Sequence, residues 1–140
     1  GGEMGGLREP ALVLTPPELV DDPTNDGLLL ASEIAQLGFA ARFVVLSACN
    51  SAAGRAETSP PYTGLANAFL GSGRETLMLS HWRVRDDAAA RLTIETTRRV
   101  SAGIAPSVAL QQAQLSLMAD ESMPGSAHPA TWAPFVIIGE

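Results

Sequence analysis

The stretch RFVVLSACNSAAG, residues 42–54, decides how this chain is read. Phe43, Val44, Val45 and Leu46 form an apolar run that closes, after Ser47 and Ala48, on Cys49, the single cysteine; small residues and Gly54 follow. A short apolar run bounded by breakers predicts a strand buried on both faces, over 42–48. Cys49 then stands at the carboxyl end of a core strand. Two readings are open on these residues alone. Cysteine is a small hydrophobe, among the residue types most often buried. It is also a nucleophile where a base makes the thiolate and a carbonyl has room to approach. Ser47, Ala48, Ser51, Ala52 and Ala53 leave that room, and backbone amides at the strand end, that of Cys49 included, suit an oxyanion hole.

Outward from this stretch the pattern alternates. ALVLT (11–15) is an apolar run stopped by Pro16 and Pro17, which suits a buried strand. Residues 18–27 are a polar loop with turn chemistry. SEIAQLG (32–38) predicts a short helix with Ser32 as its cap, Glu33 in its first turn and Gly38 as its stop. Residues 50–62 are polar and rich in breakers. Arg55 lies in this loop, and 55–62 is a candidate mobile flap after Cys49. TGLANAFLGSG (63–73) puts Leu65, Ala66, Phe69 and Leu70 on one helical face, and ETLMLSHW (75–82) predicts another strand. The segment 86–103 begins with Asp86 and Asp87 and carries Arg98 and Arg99 near its end, matching a helix dipole at both termini. Pro106 fits the first turn of a further helix through Met118. The loop ADESMPGSAHPA leads to a last strand near 132–139. This order predicts an α/β fold with a mostly parallel sheet flanked by helices. Such sheets place their chemistry at the carboxyl ends of strands, where both Cys49 and the segment 81–86 fall.

The totals bound the function. A chain of 140 residues with 46% hydrophobic content has enough apolar surface for one core, so residues 1–140 are expected to belong to a single domain. No apolar run reaches the roughly 18 residues of a membrane helix, and no leader pattern opens the chain. A soluble cytoplasmic protein without a membrane partner is the expectation. One cysteine and two histidines cannot form a structural zinc site, so no metal is expected. The net charge is −6 and every one of the nine basic residues is arginine. That balance argues against a nucleic-acid partner, which needs a basic face. Neither GxGxxG nor GxxxxGK[ST] occurs, which weighs against a phosphate-binding α/β enzyme in which Cys49 is incidental.

The Leu-Ser-Ala-Cys block at 46–49, the Gly-Leu-x-x-Ala-Phe helix at 64–69 and the Trp-x-Val-x-Asp turn at 82–86 together resemble the CHAT domain. Each is weak alone; their order and spacing make the set specific. CHAT domains are caspase-like cysteine peptidases, related to separases and often joined to tetratricopeptide repeats. The resemblance runs from EPALVLTP (9–16) through DGLLLASEIAQL (26–37) to the final WAPFVIIGE, nearly the whole chain.

The resemblance implies a caspase-like three-layer fold, with Cys49 as the nucleophile after the fourth core strand. It implies a catalytic histidine in a His-Gly pair after the preceding strand. No histidine stands before Leu7, so the chain is expected to be the C-terminal portion of the domain, starting just after that pair, with its N-terminal strands missing. His81 and His128 lie elsewhere; His128 is expected to be a turn element before the last strand. In separase-like relatives an acid after the Trp-containing strand lines the pocket for a basic side chain. Asp86 takes that place here, with Trp82 as a pocket wall and Trp132 as a packing anchor or wall. The competing reading of Asp86 and Asp87 is simply that they begin a helix.

The expected function is a cysteine endopeptidase cleaving a protein or peptide partner through a Cys-His dyad, without cofactors, in a parent chain carrying a tetratricopeptide-repeat region. The alternative is an inactive caspase-like scaffold or interaction module. A sheet lacking its first strands exposes the edge beside 11–15 or 42–48, which predicts a homodimer or swapped dimer.

Overall fold

The computed structural model describes residues 9–19, 26–37, 41–47, 65–72 and 76–139. Strands β1 (Ala11–Val13) and β2 (Leu28–Leu30) form an antiparallel pair and lead directly into helix α1 (Ala31–Gln36). Strand β3 (Phe43–Leu46) and helix α2 (Leu65–Phe69) precede strand β4 (Thr76–Ser80). Two long helices follow, α3 (Asp86–Ser101) and α4 (Pro106–Met118), then the single turn α5 (Pro129–Trp132) and strand β5 (Phe135–Ile138). The chain is mixed α/β, as its pattern predicts.

The second sheet has the order β3-β4-β5. β3 and β4 run parallel, Phe43 opposite Thr76 and Leu46 opposite Leu79. β5 returns antiparallel, with Ser80 opposite Phe135 and Leu77 opposite Ile138. The expected mostly parallel sheet is therefore corrected: of the described pairings, only β3–β4 is parallel. The reason lies in the helices. One helix between two strands returns the chain to the end it left, giving a parallel neighbour. α3 and α4 form an antiparallel hairpin, and an even number of long helices reverses the next strand.

β4 is the centre of the molecule, and all five of its residues are buried. Its alternation divides the core into two halves. Leu77 and Leu79 pack with Ile34 of α1, Leu46 of β3, and Ala66 and Phe69 of α2. Met78 packs on the other face with Ala88 and Leu92 of α3, Leu110, Ala113 and Leu117 of α4, and Phe135 of β5. Helices thus cover both faces of the sheet. Full burial of each of these leucines is worth about 1.5–3 kcal/mol. The expectation of burial on both faces fits β4 better than β3, whose Phe43, Val44 and Val45 are half-buried. Among the described residues β3 has β4 as its only ladder neighbour, so it lies at an edge.

Local chemistry explains most boundaries. α3 begins with its two acids and ends with Arg98 and Arg99, both paired with Glu95. Pro106 opens α4 at its first position, where its missing N–H costs nothing. α1 corrects the expected cap: Leu30, not Ser32, is the N-cap residue, because the helix begins at Ala31. The amide of Ser32 instead donates to Glu9 Oε2 at 2.8 Å, and its hydroxyl to Glu9 Oε1 at 2.9 Å. Glu33 Oε2 accepts the Leu30 amide. Two carboxylates thereby satisfy the exposed donors of this short helix. Among the described residues no helix is long and apolar enough to cross a membrane.

One polar atom breaks the pattern of the α3–α4 core. Thr96 is fully buried one turn beyond Leu92, and its Oγ1 has no hydrogen-bond partner. Thr93, by contrast, donates to the Ala89 carbonyl at 2.8 Å. An orphaned buried hydroxyl carries its desolvation cost uncompensated. Thr96→Val keeps the branched shape and is expected to raise stability by about 1 kcal/mol in urea denaturation. A loss of stability would show that the hydroxyl contributes an interaction.

Candidate functional site

Three segments converge on one edge of the second sheet. β3 and β4 are parallel, so both leave the sheet at the same end, at Ser47 and Ser80. β5 is antiparallel, so its amino end, Phe135, stands at that edge beside Ser80. The turn 81–85, the first turn of α3 and the segment leading into β5 are therefore neighbours. Sequence reasoning expected the first two. It treated the third as a connecting loop, because its position depends on the direction of β5. The signal was present in two long helices separating the last two strands.

Hydrogen bonds fix this edge. The His81 amide donates to the Pro134 carbonyl at 2.9 Å, extending the β4–β5 contact past the ladder. Trp82 is 41% exposed, and its indole N–H reaches the Ala130 carbonyl at 3.4 Å. The rings of His81 and Trp82 stack with centroids 6.4 Å apart and planes 29° from parallel. Trp132 packs against the α3–α4 side of the core and donates its indole N–H to the Ala127 carbonyl at 3.2 Å. His128 serves as the expected turn element: it is the N-cap residue of α5, its Nδ1 accepting the Ala130 amide at 3.1 Å. That bond requires Nδ1 to be the unprotonated nitrogen.

The two acids that open α3 have different surroundings. Arg85 grips Asp87 through Nη2–Oδ2 at 2.6 Å and Nε–Oδ1 at 3.1 Å. These hydrogen bonds hold the Asp87 carboxyl below the usual aspartate range, helped by the Ala88 amide. Asp86 is exposed, and among the described residues its carboxylate has no hydrogen bond or ion pair. Of the pair, Asp86 is the acid left available to a ligand.

Of the residues singled out by sequence, Trp82, Asp86, His81, His128 and Trp132 share this edge. Cys49, with its amide as an oxyanion donor, and the flap 55–62 lie outside the described residues. Sequence reasoning missed Arg85. Among the described residues no cluster of three His, Cys, Asp or Glu side chains is arranged to hold a metal ion. A shallow groove of about 360 Å³, lined by Val45, Thr93, Ile94, Thr97, Arg98 and Ser101, draws on the last turns of α3, away from Asp86.

Comparison with known proteins adds two findings. A family model described as the CHAT domain matches residues 5–140. Tetratricopeptide repeat protein 28 of Mus musculus is 27% identical to the chain over 117 residues, and that of Homo sapiens 26% over 117 residues. Each match covers 84% of this chain but only 5% of the relative, so the chain spans a small part of those proteins. No solved structure matches.

Proposed function

The chain belongs to the CHAT-domain family, and on that premise we propose that it forms part of a caspase-like cysteine endopeptidase domain. Cys49 is the nucleophile. Its thiolate attacks the scissile carbonyl of a protein or peptide substrate, and backbone amides at the end of β3, that of Cys49 included, stabilise the oxyanion. A histidine of the parent protein, outside residues 1–140, takes the thiol proton and passes it to the leaving amine. Water then hydrolyses the thioester, releasing the acyl product and restoring the thiol. The reaction needs no metal or organic cofactor, and a reducing cytoplasm keeps the thiol free.

The observation that carries this reading is the parallel β3–β4 pair, whose carboxyl ends lie side by side. The described chain leaves β3 at Ser47, at the end of the sheet that carries Trp82 and Asp86, and Cys49 follows two residues later in the sequence. Asp86 forms the floor of the pocket for a basic side chain next to the scissile bond, and Trp82 one wall. Asp87 is excluded from that role because its carboxylate is committed to Arg85. A carboxylate paired with a ligand guanidinium is worth about 1.5–3 kcal/mol, so Asp86→Asn is expected to lower kcat/KM on an arginine peptide by about 10- to 100-fold. Cleavage of a peptide with a neutral residue there should change little. Equal losses on both peptides would remove Asp86 from the pocket.

A second reading is a caspase-like interaction module without a working dyad, and the observation behind it is that both histidines of residues 1–140, His81 and His128, follow Cys49 and neither stands in the preceding strand. A parent sequence with no histidine in the preceding strand, together with absent peptidase activity, would establish it. The names of the mammalian relatives support a parent that carries a tetratricopeptide-repeat region. Among the described residues β3 has β4 as its one ladder neighbour, which supports self-association through the sheet edge beside 42–48.

A further inference from the structure

We propose that Arg85 is a positioning residue, a latch that holds the segment 124–132 against the turn 81–87 and so sets the wall of the site beside Trp82 and Asp86. The existence of the latch is independent of the peptidase reading; the purpose it serves rests on that reading.

One guanidinium commits three donors. Nη2 and Nε chelate the two oxygens of Asp87 at 2.6 and 3.1 Å, and Nη1 donates to the Pro124 carbonyl at 2.6 Å. The two-point grip on Asp87 fixes the plane of the guanidinium, which aims the third donor instead of leaving it to sweep through solvent. At Gly125 the backbone turns at φ +76°, a conformation that L side chains rarely adopt. The carbonyl of Gly125 accepts the buried Thr131 hydroxyl at 2.9 Å, and the buried Ser126 hydroxyl donates to the Asp120 carbonyl at 2.9 Å. The segment thus passes the restraint along to α5, where Ala130 accepts the indole N–H of Trp82. Arg85 and Trp82, three residues apart on one turn, hold opposite ends of the same segment.

Stability does not account for this arrangement. Arg85 and Asp87 are both about half-exposed, and exposed ion pairs contribute little to folding. What the three bonds supply is orientation. Lysine has the charge but not the planar fork, so it cannot grip both Asp87 oxygens and still direct a donor at Pro124.

Both tryptophans of the chain, Trp82 and Trp132, sit within this hydrogen-bonded unit, so intrinsic fluorescence reports on it. The test is acrylamide quenching of the 140-residue chain, wild type against Arg85→Ala, Arg85→Lys and Gly125→Ala, with a thermal melt of each. KM and kcat of the parent on an arginine peptide form the second arm. Arg85→Ala is expected to raise the quenching constant about twofold as the segment loosens, with the melt little changed. It should raise KM about three- to tenfold while kcat stays within about twofold. Arg85→Lys should fall between, and Gly125→Ala should reproduce the quenching change with Arg85 in place. Unchanged quenching in both Arg85→Ala and Gly125→Ala overturns the latch, whatever the peptide result. Raised quenching with an unaltered KM overturns the positioning role. Raised quenching in a parent that cleaves no peptide leaves the latch standing and removes the peptidase reading.

Discussion

Cys49→Ala is expected to reduce peptide cleavage by the parent protein by about 10⁴-fold or more, the scale seen when an enzyme loses its nucleophile. The size of the effect follows from the chemistry. Alanine offers no atom that can form the thioester, so the two-step route closes, and oxyanion stabilisation and substrate binding alone remain. Cys49→Ser tests the same point with nearly the same volume, because a hydroxyl has far less anionic character at neutral pH than a thiol. Folding should survive either change, since both replace a small side chain with one of similar or smaller size. A far-ultraviolet spectrum and a melt close to wild type separate lost chemistry from lost structure. If the alanine variant turned over peptide as the wild type does, the nucleophile would lie elsewhere.

The second large effect is on folding. Phe135 is 2% exposed, opens β5 opposite Ser80, and fills the core half shared by β4, α3 and α4. Its carbonyl and that of Trp132 are both held by the amide of Gln114. Phe135→Ala removes a ring from a packed interior and leaves a cavity directly beneath the site edge. The expected cost is about 3–5 kcal/mol. A domain of this kind has about 5–15 kcal/mol in total, so much of its stability is at stake. Ile94→Ala is the control: Ile94 is 64% exposed on α3, and its truncation should stay within about 0.5 kcal/mol. Urea denaturation of the two variants measures the contrast. Equal midpoints would show that Phe135 is not a core anchor.

The legible parts of the fold were those with local signatures. α3 and α4 announce themselves through acids, arginines and Pro106 at their ends, and β4 through an apolar run between breakers. β2 was not legible. Three leucines next to a helix carry no period, and Leu28–Leu30 becomes a strand only because β1 pairs with it. The antiparallel direction of β5 was not legible in its own residues, because it follows from the two long helices that precede it and not from any local pattern. For the same reason the segment leading into β5 was read only as a connecting loop. Asp86 and Trp82 were legible as candidates from the Trp-x-Val-x-Asp turn, and the hydrogen bonds of Asp87 are what distinguish the two neighbouring acids. Arg85 was not legible: its partner carbonyl at Pro124 is 39 positions away and carries no side-chain signature.

The central claim is that Cys49 is a nucleophile served by a basic-side-chain pocket. Its most direct test is to treat the parent with an arginine-containing peptidyl electrophile and locate the adduct by mass spectrometry. The account predicts a single adduct on Cys49 that forms more slowly in Asp86→Asn. An active protein in which Cys49 stays unmodified, or labels no faster than with a neutral analogue of the same electrophile, would contradict it.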